Sequence, residues 1–569
     1  MNKGRQVSHP AKQPSQQDTT NRLLQAVALH QQGRTEEAEL LYRQVLSRTP
    51  NNFDALHLLG LIAAQNGSHE EAVRLLTQAL RINSRSTSAL YSLGVSLQLL
   101  NRLAEAVASY DKALATKPDH AEALSNRGNA LNEMQRYEES LKSCGQALAI
   151  KPDYPEALIN QGNALQRLHR HAEALTSFDK ALAIRPDDAE ALYNRGNCLQ
   201  GLDRHEEALV SYERALAVRP DYAEAFCNRG NSLQFLRRHE EALACYERAQ
   251  ALKPDYVEAH LNEGLCRLLM GDYPRGLEQY EWRLKQEAFV KGQRRFDRPL
   301  WLGKEPLAGR KILIHVEQGL GDTIQLCRYA KVLSDLGAIV LLEVPSSLKS
   351  LFAGLDGVDL LLTQGEPLPE FDYHCPIMSL PLALGTRVET IPGKVPYLAA
   401  PEQSLRHWEG KLGRSVKPRI GLAWSGNSAH INDLNRSIPL QRLLPLLTND
   451  FEFVSLQRDV RAADQKILDE GAGIVHFGNS LTDFSDTAAL VQSMDIVISV
   501  DTSIAHLAGA MGKSVWILLP FAPDWRWLLD RDDSPWYPSA KLLRQARPGD
   551  WGNVITAVRA QLDRISHGV

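Results

Sequence analysis

A spacing of 34 residues governs the first half of the chain. Gly60, Gly94, Gly128, Gly162, Gly196, Gly230 and Gly264 keep it without a break. Pro50, Pro118, Pro152, Pro186, Pro220 and Pro254 repeat at the same interval, with Ser84 as the one exception. A third register runs through Ala38, Ala72, Ala106, Ala174, Ala208 and Ala242, interrupted by Ser140 and Gly276. Four residues after the small residue comes an aromatic: Tyr42, Tyr110, Phe178, Tyr212, Tyr246 and Tyr280. A period of this length specifies one small unit stacked on copies of itself, because a single unit cannot bury its apolar face alone. Glycine and alanine mark close approaches between two helices, the aromatic fills the groove between them, and proline stops the second helix.

These positions resemble the tetratricopeptide repeat over about Asn21 to Lys285, or eight repeats. Ala26 in the first copy and Arg283 in the last depart from the pattern, as end caps do. Such an array is an α-solenoid with a long concave face. Two helix-one positions carry asparagine repeatedly: Asn126, Asn160, Asn194, Asn228 and Asn262, then Asn129, Asn163, Asn197 and Asn231 three residues on. Positions three apart share a helix face, and asparagine is a mediocre helix former. A row of amides suits gripping an extended peptide backbone. The first row resembles the asparagine ladder of O-GlcNAc transferases, which implies that Asn126, Asn160, Asn194, Asn228 and Asn262 bind an acceptor. The alternative is a consensus kept since duplication. Leu24, Leu58 and Ser92 hold that position in the first three repeats, so any grip is expected near the carboxy-terminal half.

Composition narrows the remaining classes. Lysine plus arginine number 64 and aspartate plus glutamate 68, a net charge of −4, which gives no basic bias toward nucleic acid. No run approaches the roughly 18 apolar residues of a membrane span. Residues 1–20 are polar and read as a disordered tail rather than a secretory signal. Seven cysteines without a C-x-x-C pair read as reduced thiols, so a cytoplasmic location is expected.

After a junction over 286–310, whose Phe296, Leu300 and Trp301 can dock on a neighbour, the pattern changes. Strands are expected at Ile312–Val316, Ile339–Val344, Val358–Leu362 and Tyr373–Ile377, with a helix over Asp322–Leu336. A second set is expected at Arg419–Trp424, Phe451–Leu456, Gly473–Phe477, Asp495–Val500 and Ser514–Leu519, closed by a helix over Gly552–Ile565. Apolar β-branched runs alternating with helices argue for buried parallel sheets. Two sets, 311–400 and 401–569, suggest an α/β GT-B fold of two Rossmann-like lobes, with ligands at the carboxyl ends of the strands.

Three turns follow expected strands. Gly321-Asp322 lies in Gln318-Gly319-Leu320-Gly321-Asp322; by spacing alone Asp322 could simply cap a helix. Ser425, Gly426 and Asn427, followed by Arg436, could bind an anion, or Arg436 could be a solvated loop residue. Asp501, Thr502 and Ser503 open a helix whose amino terminus favours phosphate, with His506 one turn deeper, as ligand or as packing. Gln457, just past a strand, could read a nucleotide base or be a surface glutamine. Together the three turns resemble the heptosyltransferases of glycosyltransferase family 9 over about Arg310 to Leu562. That resemblance implies that Asp322 is a general base, that Asp501, Thr502 and His506 bind a nucleotide-sugar donor, and that Arg436 contacts its diphosphate, where the family more often has lysine. Tetratricopeptide arrays joined to GT-B domains resemble bacterial protein glycosyltransferases.

The expected function is therefore an inverting transfer of a sugar from a nucleotide-sugar donor to a hydroxyl on a protein acceptor. It would need no metal and no cofactor beyond the donor substrate. The alternatives are a catalytically inactive scaffold for protein–protein interaction and a heptosyltransferase acting on a glycolipid.

Overall fold

The computed structural model describes residues 16–286, 294–429 and 432–567. Most of the expected polar tail and the junction residues 287–293 lie outside them. Two compact units divide the chain, Met1–Asn228 and Arg229–Val569.

The first unit is built of helix pairs. One repeat illustrates the local rules. Asp188 precedes the helix Ala189–Gly201 and its carboxylate accepts the Ala191 amide at 3.0 Å. Such an N-cap satisfies one of the backbone donors a helix start leaves open. The second helix, His205–Val218, ends one residue before Arg219 and two before Pro220. Between the two, Asp203 turns the chain with φ of 57°. The same turn recurs at Gly33, Gly67, Asn101, Gln135, His169 and, in the second unit, Arg237 and Gly271, all with positive φ. The first helix of the array begins at Gln16, inside the segment expected to be a tail.

The periodic glycines have a specific steric cause. A Cβ at Gly196 would lie 2.5 Å from the Tyr212 ring, and one at Gly94 would lie 2.5 Å from Tyr110. In these repeats the aromatic of the second helix therefore lies directly over the glycine of the first. Where the aromatic is absent, its substitute takes the place: Leu76 over Gly60 and Cys144 over Gly128.

The second unit opens on the last repeats, whose helices include His239–Leu252, Val257–Leu269 and Tyr273–Tyr280. The division falls inside the helix Ala223–Phe235, well before the break expected near Lys285. The physical reason is a shared core. Leu268, Tyr273, Leu277 and Tyr280 are buried with Trp525, Trp536 and the residues of the sheets. Arg283, read as a capping oddity, is buried and donates to Glu317 at 2.7 Å and to Ser379 at 2.7 Å. In the junction, Trp301 is buried and Phe296 stacks on His374 at 4.4 Å.

Two wholly parallel sheets follow. The first comprises β1 (Lys311–His315), β2 (Ile339–Val344), β3 (Leu360–Thr363) and β4 (Tyr373–Pro376), in the order β3-β2-β1-β4. The second comprises β5 (Arg419–Ala423), β6 (Glu452–Ser455), β7 (Ile474–His476), β8 (Ile496–Val500), β9 (Val515–Leu519) and β10 (Ala540–Arg544), in the order β10-β9-β8-β5-β6-β7. This is an α/β arrangement in which strands such as β8 and β9 are buried throughout. The edge strand β10 was not expected from the sequence, and the expected long helix is two, Leu320–Leu326 and Tyr329–Asp335. Among the described residues no helix is long and apolar enough to cross a membrane.

Opposite outcomes are expected for two glycine substitutions in the first unit. Gly196→Ala should destabilise it by about 1–3 kcal/mol through overpacking against Tyr212. Gly145→Ala, with open space around its Cβ position, should stabilise it by about 0.5–1 kcal/mol by restricting the unfolded chain. Urea unfolding of both variants is the check, and equal signs would refute the steric account.

Candidate functional site

In each sheet the chain reverses its direction of travel beside one strand. The first sheet grows from β1 through β3, then β4 returns to the other side of β1. The second grows from β5 through β7, then β8 returns to the other side of β5. Such switch points leave a crevice outside the carboxyl ends of the strands. The turn Gly319–Asp322 follows β1, Ser425–Asn427 follows β5, and Asp501–Ser503 follows β8. All three turns singled out from the sequence thus sit at switch points.

Two of them meet directly. A Cβ at Gly321 would lie 2.9 Å from the His506 ring and 3.5 Å from Ser503 Cα. Only a residue without a side chain lets the helix Leu320–Leu326 pack this closely on the helix Ser503–Ala510. Asp322 is the third residue of its helix, and its Oδ2 accepts the Gly319 amide at 2.9 Å. It closes the helix start from inside, while Gly319 holds the N-cap position. Its Oδ1 accepts from Arg526 Nη2 at 2.5 Å.

Arg526 was not singled out from the sequence. It lies in the loop after β9, is buried, and also donates to Gln325 Oε1 at 2.6 Å and Asp524 Oδ1 at 2.8 Å. Burial works against its charge, but Asp524 and Asp322 outweigh it and hold the guanidinium above its ordinary range. A signal was present: a cation set between tryptophans in Asp524-Trp525-Arg526-Trp527 has few ways to stay solvated.

The third turn joins through Arg436. Its Nη1 donates to the Asp501 carbonyl at 3.1 Å, and a Cβ at Gly426 would lie 2.6 Å from Nη2. Its buried Nε makes no hydrogen bond among the described residues but lies 3.9 Å from the Asp433 carboxylate. Gly426 N donates to Ser437 Oγ at 3.1 Å, while Asn427 is exposed and its side chain accepts the Ala429 amide at 3.0 Å. Asp501 is half-buried, and desolvation there, followed by the nearby Asp524, raises its carboxyl pKa above the ordinary 3.8; Trp527, Arg526 and Arg436 oppose the rise. His506 is held below its usual range by burial, then by Arg526, Arg328 and Arg436. Its Nδ1 pairs with Tyr537 OH at 2.9 Å, and its ring stacks on Trp527 at 5.3 Å. The His506 ring is thus held in place through Nδ1 and its stacking, with Nε2 3.9 Å from Asp501 Oδ1. Thr502 is likewise buried, with its hydroxyl 3.2 Å from Ser499 Oγ; Ser503 is partly exposed.

Gln457 also takes an internal role. Its Oε1 accepts the amides of Trp424 at 2.6 Å and Ser425 at 3.0 Å, and its Nε2 donates to Ser425 Oγ at 2.9 Å. A side chain so committed holds the turn after β5 in shape. The expectation that it reads a nucleotide base gives way to this one. Among the described residues no group of three or more His, Cys, Asp or Glu side chains is placed to hold a metal ion.

The asparagine rows prove to be joined to each other. Asn194 donates to Asn163 Oδ1 at 3.0 Å and Asn228 to Asn197 Oδ1 at 2.8 Å in the first unit, and Asn262 donates to Asn231 Oδ1 at 2.8 Å in the second. Asn126 donates to Tyr91 OH at 3.1 Å and Asn160 to Ser125 Oγ at 3.3 Å. Each first-row amide nitrogen thus fixes its repeat against the preceding one. An acceptor chain would meet amides whose nitrogens already donate within the protein, so the repetition has a structural cause of its own.

Comparison with known proteins agrees with the helical half. Tetratricopeptide repeat models match 119–187, 153–221 and 187–255, a TPR repeat model matches 99–135, and another tetratricopeptide repeat model matches 227–286. Residues 16–113 match the model of anaphase-promoting complex, cyclosome, subunit 3. The helix pairs of the amino-terminal region are tetratricopeptide repeats. Protein FlbA of Caulobacter vibrioides is 27% identical over 325 residues, covering 51% of this chain and 53% of FlbA. The chain thus spans about half the length of that curated relative. Among solved structures, a tetratricopeptide repeat protein from Parabacteroides merdae is 18% identical, covering 44% of this chain and 99% of its own, with a TM-score of 0.36. YrrB, described as a TPR protein with an unusual peptide-binding site, is 27% identical, covering 32% of this chain and 95% of its own, with a TM-score of 0.29.

The Asp501 carboxyl carries a pH signature. A folded pKa above 3.8 favours the protonated form in the fold, so the stability it contributes is complete below about pH 4 and is lost as pH rises through the folded value. Asp501→Asn should therefore gain in Tm relative to the parent between pH 4 and pH 8. A variant that loses ground at pH 8 would show that the carboxylate is charged and held by the two arginines.

Proposed function

We propose that the α/β part of the second unit is a glycosyltransferase of GT-B type. It moves a sugar from a nucleotide-sugar donor to a hydroxyl on a protein presented by the tetratricopeptide array. The observation that carries this reading is the convergence of the Gly319–Asp322 turn on the helix Ser503–Ala510 at the switch points of both sheets. Arg436, whose Nε lies 3.9 Å from the Asp433 carboxylate, stands beside that helix start. Backbone donors at a helix amino terminus together with a guanidinium form an anion site. A donor diphosphate fits that chemistry.

In this reading the acceptor hydroxyl attacks the anomeric carbon as Asp322 takes its proton. The bond from that carbon to the diphosphate oxygen breaks, and the electron pair leaves with the nucleoside diphosphate, held by Arg436 and the Ser503 helix start. Attack opposite to departure inverts the anomeric centre. No step calls for a metal. Arg526 is a positioning residue: it fixes the Asp322 carboxylate in one orientation. That ion pair also favours a second reading, a catalytically silent platform in which the site is closed by its own charges.

Asp322→Asn separates the two. The transferase reading expects turnover to fall by about 10²–10⁴-fold, the usual worth of a positioned base, while donor affinity measured by calorimetry stays within a few-fold. Unchanged turnover in a folded variant would remove Asp322 from the chemistry. A parent protein that binds donor but never turns it over, with any acceptor offered, would favour the platform.

A further inference from the structure

The last repeat departs from a rule that other repeats keep. A Cβ at Gly196 would lie 2.5 Å from the Tyr212 ring, and one at Gly230 would lie 2.5 Å from the Tyr246 ring. Both tyrosine hydroxyls bond inside their own repeat, Tyr212 to Asn197 Oδ1 at 2.8 Å and Tyr246 to Asn231 Oδ1 at 2.9 Å. Tyr280 holds the same register, but it ends a second helix of 8 residues where His239–Leu252 has 14. A Cβ at Gly264 would meet the Tyr280 backbone nitrogen at 2.8 Å and not its ring. The ring is instead buried in the core shared with the sheets, with the Arg283 guanidinium over it at 4.8 Å.

The hydroxyl that this frees from the repeat goes to Gln318. It donates to Gln318 Oε1 at 3.2 Å and accepts from Gln318 Nε2 at 2.8 Å. Burial pushes the Tyr280 phenol up to about 12, so the hydroxyl keeps its proton at neutral pH. Three consecutive residues then lead to Asp322. Glu317 Oε1 accepts from Arg283 Nη2 at 2.7 Å and from Nε at 3.1 Å. Gln318 is held by Tyr280, and the Gly319 amide donates to Asp322 Oδ2 at 2.9 Å. Gln318 and Gly319 are exposed, and an exposed turn keeps one geometry only where contacts from outside it hold it. The two oxygens of Asp322 are therefore oriented from two sides: Oδ1 by Arg526 of the loop after β9, and Oδ2 by a segment that the last repeat grips.

We propose that Tyr280 is a positioning residue for the transfer step: through Gln318 and the Gly319 amide it holds the Asp322 carboxylate in the orientation that takes the acceptor's proton. This rests on the transferase reading, and it gives the last repeat a part in the chemistry that is separate from presenting a protein. Tyr280 touches neither donor nor acceptor. Its effect comes from geometry, since a shift of about 1 Å in a reacting group can cost on the order of 10²-fold in rate. Donor binding, which falls to Arg436 and the Ser503 helix start, does not pass through it.

The test uses the full chain and three variants: Tyr280→Phe, which keeps the ring in the core and removes only the hydroxyl, Gln318→Met at the exposed partner, and the two together. Amide hydrogen exchange of residues 317–322, followed by mass spectrometry, reads the grip with no substrate present. Each single variant should speed that exchange at least tenfold, while the amides of β1 keep the parent's rate. Turnover of UDP-, GDP- and ADP-linked sugars reads the chemistry. Each single variant should lose at least tenfold in kcat, with donor affinity by calorimetry within a few-fold of the parent. The double variant should be no slower than the slower single one, because Tyr280 acts through Gln318. Losses in kcat that multiply in the double variant, or a loss of donor affinity equal to the loss in kcat, would assign Tyr280 a merely structural role and overturn the proposal. Unchanged exchange in both single variants would overturn it as well. A parent that turns over none of the donors would sink the transferase reading; faster exchange in the variants would then still establish the grip on the turn, and unchanged exchange would remove that too.

Discussion

Much of the second unit depends on keeping one buried guanidinium satisfied. Arg526 reaches Asp322 and Gln325 on the helix after β1, and Asp524 in its own loop after β9. Breaking such a buried pair by removing one partner costs several kcal/mol, because the other charge remains without solvent. The two sheets therefore cannot drift apart without exposing or orphaning that charge. Arg328 acts in the same sense, donating from the break between two helices to the carbonyls of Pro392 at 3.0 Å and Trp536 at 2.9 Å and to Tyr397 OH at 2.8 Å. Together they tie the helices after β1 to the segments beyond β9.

The same logic explains why the last repeats belong with the sheets. Tyr273 packs edge-on to Trp525 at 5.8 Å, next to Arg526 in sequence, and Arg283 is neutralised by Glu281 and by Glu317 just beyond β1. The final repeat is thus part of the hydrophobic core that supports the candidate site.

The helical half was legible because every register rests on a local steric rule. Glycine opposite an aromatic ring and proline beyond a helix end need only neighbours in the same repeat. The left-handed turn residues follow the same period, yet five of them are Asn101, Gln135, His169, Asp203 and Arg237, whose identities hide the conformation. In the α/β half the buried strands were legible as apolar runs. The strand β10 was not: Lys541 and Arg544 break its pattern, and only pairing with β9 makes it a strand. Arg526 escaped because its partner Asp322 lies 204 residues away. Gln457 and His506 were placed correctly at the turns, but which way a side chain faces is decided by packing, and both face inward. The asparagine rows were visible as rows, whereas their mutual hydrogen bonds depend on the stacking offset between repeats.

In the proposed function these turns hold a nucleoside diphosphate bearing a sugar. Calorimetry of the full chain against UDP-, GDP- and ADP-linked sugars tests this, with Arg436→Gln as the companion variant. The parent should bind at least one of them, and the variant should lose at least tenfold of that affinity. Absence of binding for every donor, or binding that Arg436→Gln leaves unchanged, would contradict it.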